Sequence, residues 1–191
     1  MKKLLWKLRR FFRNSCRMAV LDMVAGKRWA IASTSRNIPY LKAENVRDRH
    51  ILLQQVEQDT YLMADDITPE LLQRHHKLPN GTWKPGRMVV ETSPGNFQVW
   101  IHAHRPLSLE EKRYWLKILK SDPGAGPCNR WGRCPGFRNR KKNIVIHPAI
   151  IPWQSSSGST GNRQPTFHKY LSIYSDIQQA ASENKTNNSE P

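Results

Sequence analysis

The feature that most constrains the fold of this chain is a pair of strand-like segments joined by a tight turn. Segments 87–92 and 96–103 are rich in β-branched and aromatic residues and are separated only by Ser93-Pro94-Gly95, a pattern typical of a β-hairpin. In the second segment, apolar residues at 97, 99 and 101 alternate with Gln98, Trp100 and His102, so the two sets should face opposite sides of a sheet. The apolar segments 50–56 and 59–65 predict two further strands.

Helices are predicted between and after these strands. Ser108 and Glu111 form a capping-box pattern that predicts a helix to about Lys120. Thr68 followed by Pro69 predicts the start of another helix, which should run to about residue 77, and segment 38–46 predicts a short one. We expect the two histidines at 75 and 76 to lie on the surface. The fold class that follows is α+β, with a mixed, mainly antiparallel sheet flanked by helices.

The first 26 residues predict a basic amphipathic helix. Apolar residues recur at three- and four-residue spacing, namely Leu5, Leu8, Phe12, Cys16, Ala19 and Met23. Seven Lys or Arg and no acid lie between positions 1 and 17, and Gly26 should end the helix. We expect the apolar stripe to pack on the domain, while the basic face is left open to phosphates; contact with anionic lipid is the alternative.

Charge narrows the class of partner. The chain carries 31 Lys and Arg against 15 Asp and Glu, a formal charge of +16, which favours a polyanion, with nucleic acid first. An apolar fraction of 38% can form a core and argues against a fully disordered chain. No apolar run approaches the roughly 20 residues that span a bilayer, which argues against a transmembrane protein, and the predicted partners do not include a membrane.

Localisation and domain limits are also expectations. The N-terminus lacks the uninterrupted apolar stretch of a secretory signal, and three cysteines do not suggest a disulfide framework, so the predicted location is cytoplasmic. From 154 onward the composition becomes Ser-, Gly- and Asn-rich. We therefore expect a folded domain over 1–153, followed by a linker and a largely disordered polar tail over 154–191.

Three acids are candidates for metal-dependent chemistry. Asp65 and Asp66 end an apolar strand, and Asp122 precedes a Gly/Pro-rich loop that has six basic residues and no acid between 128 and 142. A divalent cation would relieve the repulsion between such carboxylates, and the loop would bind the phosphates that it bridges. Adjacent strand residues point to opposite faces, so both acids of the pair reach one metal only if the strand bends there. The alternative is a pair of ordinary turns and a solvated basic loop.

His102 is a further candidate. With His104 two residues along, it fits a metal-binding pair, or alone a contact to a triphosphate; a strand-end histidine without a ligand is the simpler interpretation.

Four segments, in this order, resemble one protein family: YLMADDI, ETSPGNFQVWIH, PLSLEE and SDPGAGPCNRWGRCPGFRNRK. They resemble the RepB-like primases of plasmids and other mobile elements, in the archaeo-eukaryotic primase superfamily, from about Ile38 to Trp153. The resemblance implies primer synthesis on a single-stranded DNA template from nucleoside triphosphates by two-metal phosphoryl transfer with Mg²⁺ or Mn²⁺. It also suggests a helicase or replication initiator as a further partner, because longer members carry an additional region after the core.

The same resemblance assigns roles to residues. The metal carboxylates map onto Asp65, Asp66 and Asp122, and His102 onto a histidine that contacts nucleotide phosphate. Residues that would bind the incoming triphosphate or the template are Arg133, Arg138, Asn139, Arg140 and Lys141.

Two other functions remain open. His102-Ala103-His104 resembles the His-hydrophobe-His metal motif of single-strand DNA nickases, in which Tyr114 or Tyr170 would have to act as the nucleophile. A nucleic-acid-binding replication accessory without catalysis fits the charge equally well.

Overall fold

The computed structural model describes residues 1–56, 58–124, 126–128, 130–141 and 144–150, all within the unit Met1–Trp153. The expected linker and tail over 154–191 lie outside the described residues. The helices are α1 (Lys2–Phe11), α2 (Ile38–Val46), α3 (Pro69–Leu71), which continues as a π-helical turn (Leu72–His76), and α4 (Leu109–Ile118). Short 3₁₀ turns precede α2 and the fourth strand, at Ser35–Asn37 and Gln58–Thr60.

Ten strands lie in the described part of the chain: β1 (Cys16–Asp22), β2 (Lys27–Ala32), β3 (His50–Gln55), β4 (Tyr61–Ile67), β5 (Arg87–Ser93), β6 (Asn96–His102), β7 (Gly132–Arg133), β8 (Arg138–Asn139), β9 (Ile144–Val145) and β10 (His147–Ile150). They form a first sheet in the order β2-β1-β3-β7, a second in the order β10-β5-β6-β4, and the separate pair β8-β9. Every described pairing is antiparallel. The α+β class with mainly antiparallel strands is confirmed, with two four-stranded sheets.

The second sheet is buried on both faces. One face packs with α1 and the first sheet, through residues such as Met63, Trp100 and Leu53, and the other packs under α4 through Leu62 and Val99. This double burial explains why β4 reads as a nearly continuous apolar run rather than an alternating one. The strand therefore delivers its polar last residues to an edge of the core.

The predicted helix over 2–26 is wrong beyond its first ten residues. It ends at Phe11, and Arg13 and Asn14 then adopt left-handed backbone conformations with φ of 50° and 63°. The chain continues as β1, and Gly26, with φ of 63°, lies in the β1–β2 turn instead of ending a helix. Apolar residues in β1 are buried by the pairing with β3, so tertiary contacts override the helical spacing.

The helix predicted from Thr68 forms as expected at its start, where the Thr68 hydroxyl accepts a hydrogen bond from the Leu71 amide. Its second half widens into the π-helical turn, which turns His76 fully into the core, contrary to the surface position expected for it. Among the described residues, no helix combines the length and apolar character needed to cross a membrane.

Candidate active site

The paired acids lie at a β-bulge at the end of β4. Ala64 is opposite Val99 of β6 and Ile67 is opposite Phe97, so β4 contains one residue more than β6 over this stretch. Asp66 has φ of 56°, a left-handed conformation uncommon outside glycine and best tolerated by Asn and Asp. A bulge of this kind re-aims side chains and bends the strand, which is the bend that adjacent acids need in order to share one rim.

Asp122 is joined to Asp65 through the main chain. Its amide donates to the Asp65 carbonyl at 3.1 Å, and the neighbouring Ser121 hydroxyl accepts from the Asp65 amide at 2.9 Å. The segment after α4 therefore continues beside the end of β4 like a short extra strand. Asp65 and Asp122, which are 57 positions apart in the sequence, therefore have hydrogen-bonded backbones. We refer to Asp65, Asp66 and Asp122 together as the carboxylate rim.

Two arginines lie beside these acids. Arg130, 9% exposed, donates through Nη1 to the Met63 carbonyl at 2.6 Å and to Ser121 Oγ at 3.4 Å. Burial lowers the pKa of its guanidinium, whereas the charges of Asp65 and Asp122 act in the opposite direction. Arg133 likewise has a pKa lowered by burial and opposed by the charge of Asp65, so both cations lie within electrostatic reach of that carboxylate.

Burial dominates the titration of Asp65. Desolvation raises the pKa of its carboxyl, and the neighbouring charge of Asp66 adds to that rise. Hydrogen bonds from Gln98 and the Asp66 amide, together with the charge of Arg130, lower the pKa. The carboxylate is thus held in a partly desolvated place where a compensating positive charge has a strong effect.

Gln98 is the site residue that sequence reasoning missed. It is 5% exposed, its amide is hydrogen-bonded to Asp65, and its Oε1 accepts from the Arg133 amide at 2.7 Å. One side chain therefore connects β4, β6 and β7. The alternation along β6 put Gln98 on one face with Trp100 and His102, but only the strand register shows that it is opposite the bulge.

The other basic-loop residues differ in their contacts. Asn139, 6% exposed, donates to the Thr92 carbonyl at 2.9 Å, and Arg138 is exposed in β8. Arg140 bonds the Asn45 carbonyl through Nε and pairs with Asp48 at 3.3 Å. Arg133, Arg140 and the exposed Lys141 nevertheless share one neighbourhood.

The residue that these three cations share is His50, which is buried at the start of β3. Its pKa is lowered to about 4, first by burial and then by the positive charges of Arg133, Arg140 and Lys141. Three predicted phosphate-binding cations therefore lie within electrostatic reach of His50, and one of them, Arg133, is also within reach of Asp65.

His102 is not brought to the acids. It pairs with Tyr61 at the beginning of β4, four positions along β6 from Gln98, which corresponds to about 13 Å at the usual rise of a strand. Its ring centroid lies 4.7 Å from that of Tyr61, and burial lowers its pKa to about 4, with smaller effects from Arg13 and His104. The structure therefore places His102 at the opposite end of β6 from the acids, and its predicted contact with nucleotide phosphate stays a prediction.

The residues fit a divalent cation in donor type. Three carboxylates offer only oxygen ligands, which Mg²⁺ and Mn²⁺ prefer. Their side chains are turned to local partners: Asp66 Oδ1 accepts from Asn96 at 2.9 Å, and Asp122 Oδ1 accepts from the Gly124 amide at 2.9 Å. Within the described part of the chain, no three His, Cys, Asp or Glu side chains are already grouped as metal ligands, so a shared cation would require these carboxylates to rotate.

The nickase interpretation lacks a matching arrangement. Tyr114 is 41% exposed on α4, which packs against the face formed by Leu62 and Val99, whereas His102 and Tyr61 pair on the other face. Tyr170 lies outside the described residues.

A family model described as the RepB DNA-primase N-terminal domain matches residues 19–161. The chain belongs to this family. The match includes the bulge acids, Gln98, the Ser121–Asp122 segment and the basic loop, so the RepB primase domain contains the whole site described above.

Individual relatives agree with this assignment. Mobilization protein A of Escherichia coli is 26% identical over 158 residues, covering 78% of this chain but 22% of that protein; this chain thus spans about a fifth of the length of that relative. The catalytic domain of primase RepB′, solved with initiator DNA, superposes with a TM-score of 0.59 at 21% identity, over 94% of this chain and 97% of that one. The primase-polymerase domain of cyanophage S-2L gives a TM-score of 0.56 at 10% identity, over 77% and 88% of the two chains. These structures support the fold.

Proposed function

We propose that this chain is a DNA primase-type nucleotidyltransferase, which begins new strands on a single-stranded DNA template during replication of a plasmid or other mobile element. The observation that carries the proposal is the main-chain bond between Asp122 and Asp65, because it gathers acids from two distant segments at one rim beside Arg130 and Arg133. Membership of the RepB primase family supports the reaction class. The complex of a RepB′ primase with initiator DNA supports the nature of the template.

In this proposal Asp65, Asp66 and Asp122 hold Mg²⁺ or Mn²⁺. Such a metal pair supplies activation of the attacking 3′-hydroxyl and stabilisation of the leaving pyrophosphate. Gln98 keeps the Asp65 carboxylate oriented through its hydrogen bond. The positive charge of Arg130 offsets the negative charges of Asp65 and Asp122.

The triphosphate would lie on the basic side of the rim. Arg133 would contact it by turning its side chain outward, since Nη1 of Arg133 is buried without a hydrogen-bond partner in the described structure and the residue lies within electrostatic reach of Asp65. Arg140 and Lys141 add positive potential nearby, and the exposed Arg138 is available to template phosphates. Asn139, which bonds the Thr92 carbonyl, shapes this segment from the inside.

A primer-synthesis assay on single-stranded DNA with nucleoside triphosphates and either metal tests the proposal. We expect an oligonucleotide from the wild-type chain and none from Asp65→Ala, Asp66→Ala or Asp122→Ala, each of which should remain folded and still bind DNA. Glu110→Ala, which removes an exposed acid at the start of α4, is the matched control and should retain activity.

Each other outcome points elsewhere. Full incorporation by Asp122→Ala would remove that acid from the site. A DNA strand left covalently attached to the protein would indicate the nickase, and DNA affinity without affinity for triphosphate plus Mn²⁺ would indicate a binding accessory. Repeating the assay with a helicase or replication initiator tests whether the domain needs a partner.

A further inference from the structure

Helix α1 is held to the domain by its apolar side. Leu5, Leu8 and Phe12 are buried in the core between the sheets. The rings of Phe12 and Trp100 meet edge to face with centroids 5.2 Å apart, and the Tyr61 hydroxyl donates to the carbonyl of the last helical residue at 2.7 Å. The helix therefore presents one fixed face outward.

That outward face is cationic and carries an aromatic ring. Lys2, Trp6, Arg9 and Arg10 line a groove of about 520 Å³ together with Leu5, Asn14 and Ser35. No acid occurs in the first 21 residues. Trp6 is 59% exposed, and the Arg10 guanidinium lies over its ring at 5.2 Å from the centroid.

Burial of the apolar stripe decides between the two polyanions that such a helix can bind. An interfacial helix binds a membrane by inserting its apolar face among the acyl chains. In α1 that face is already in the protein core, so lipid would gain only charge contacts. A single DNA strand uses what remains, because phosphates pair with the cations and a base stacks on an exposed indole.

We propose that the outward face of α1, defined by Lys2, Trp6, Arg9 and Arg10, is a binding surface for single-stranded DNA distinct from the carboxylate rim. Tyr61, which bonds the last residue of α1, and Asp65 lie four positions apart on β4, so the C-terminal end of α1 contacts the strand that carries Asp65, about 13 Å from that residue at the usual strand rise. Identification of the bound DNA as the template rests on the proposed function; the DNA contact itself does not.

The test measures binding of a labelled oligo-dT strand by fluorescence anisotropy at several salt concentrations, without metal or nucleotide, using the full chain. Lys2→Ala/Arg9→Ala removes two charges from α1, and Arg113→Ala/Lys117→Ala removes two exposed charges from α4 as the matched control. Loss of two phosphate contacts should reduce the slope of log affinity against log salt by about 1.4 for the α1 pair, with much less change for the α4 pair. Alanine is a strong helix former, and far-UV circular dichroism checks that each helix is retained.

Trp6→Ala tests the stacking contact separately. We expect affinity to fall by about 5- to 150-fold at every salt concentration, since stacking on an aromatic side chain contributes that much per base, while the salt slope stays unchanged. Equal slope changes in the two charge pairs, or unaltered affinity of Trp6→Ala, would overturn the proposal. So would tighter, α1-dependent binding to phosphatidylserine vesicles than to the oligonucleotide.

The DNA-binding test of α1 and the primer-synthesis test of the proposed function can fail independently. A chain that binds DNA through α1 but makes no primer would leave this surface in place and refute the proposed function. Primer synthesis by the wild-type chain, together with normal DNA binding by the α1 variants, would support the proposed function and refute the α1 surface.

Discussion

Gln98→Leu is the most informative single change at the candidate site. Leucine has a similar volume but neither accepts from the Arg133 amide nor donates to Asp65, so two polar groups lose a partner. A buried group left without its hydrogen bond costs about 1–3 kcal/mol. Because the Asp65 side is partly exposed and leucine recovers apolar contact, we expect the free energy of unfolding to fall by about 2 kcal/mol.

The change should reduce function more than stability. The hydrogen bond from Gln98 lowers the pKa of Asp65, so its loss leaves the carboxylate easier to protonate and freer to turn. Residues that orient a metal-binding carboxylate typically account for about 10- to 100-fold in metal affinity. We therefore expect Mn²⁺-dependent triphosphate binding to weaken by a factor in that range.

Urea unfolding and calorimetric titration of triphosphate in the presence of Mn²⁺ measure the two effects. His102→Leu is the matched control, because His102 lies on the same face of β6 but at the other end. It should alter triphosphate binding by less than about threefold, on the order of 0.7 kcal/mol. Wild-type binding by Gln98→Leu, or a larger loss in His102→Leu, would refute the assignment of the site to the Gln98 end of the strand.

Three further predictions concern stability. The pKa of Glu111 is lowered to about 2, chiefly by Arg105, so its ion pair stabilises the fold fully above pH 4.5 and loses that contribution as the pH falls towards 2. Glu111→Gln should therefore show a shallower fall of Tm between pH 4.5 and pH 2. A pH profile of Tm identical to that of the wild type would contradict this. His76, with a pKa lowered to about 3 by burial, stays neutral while the unfolded chain takes up a proton below pH 6.5. Wild-type stability should therefore fall relative to His76→Leu by about 2 kcal/mol between pH 7 and pH 5, and parallel urea titrations at the two pH values would argue against that origin. At Gly132, an added Cβ would lie 2.8 Å from Met63 Sδ, so Gly132→Ala should cost about 1–3 kcal/mol; a wild-type urea midpoint would show that the packing can relax.

Elements with local signals were predictable from the sequence. The hairpin at Pro94-Gly95 and the capping box at Ser108 form as expected because their turn and cap chemistry acts within a few residues. The N-terminal helix was predicted too long because its apolar spacing continues into β1, and the left-handed residues that end it, Arg13 and Asn14, are not glycines. Burial of His76 also lacked a local signal, since it depends on the π-helical turn.

The candidate site was predictable in its acids but not in its geometry. Asp65, Asp66 and Asp122 stand out as polar residues at the ends of apolar elements, yet their proximity depends on one extra residue in β4 and on the docking of the Ser121 segment. The choice between Gln98 and His102 likewise depends on strand register, because both lie on the same face of β6. Register is set by contacts between strands that are distant in sequence, and periodicity within one strand does not reveal it.

Several energetically unfavourable features occur together at the carboxylate rim. Asp66 holds an uncommon backbone conformation, Asp65 is partly desolvated beside another acid, and Arg133 keeps a buried Nη1 without a partner. Buried unpartnered atoms also occur elsewhere, as at Gln55, so no single one of these features identifies a site. A cation would relieve the repulsion of the acids, however, and a phosphate would satisfy the arginine. Under the proposed function, one metal-bound triphosphate would offset both the excess negative charge of the acids and the unpartnered arginine, once the carboxylates have turned towards the metal.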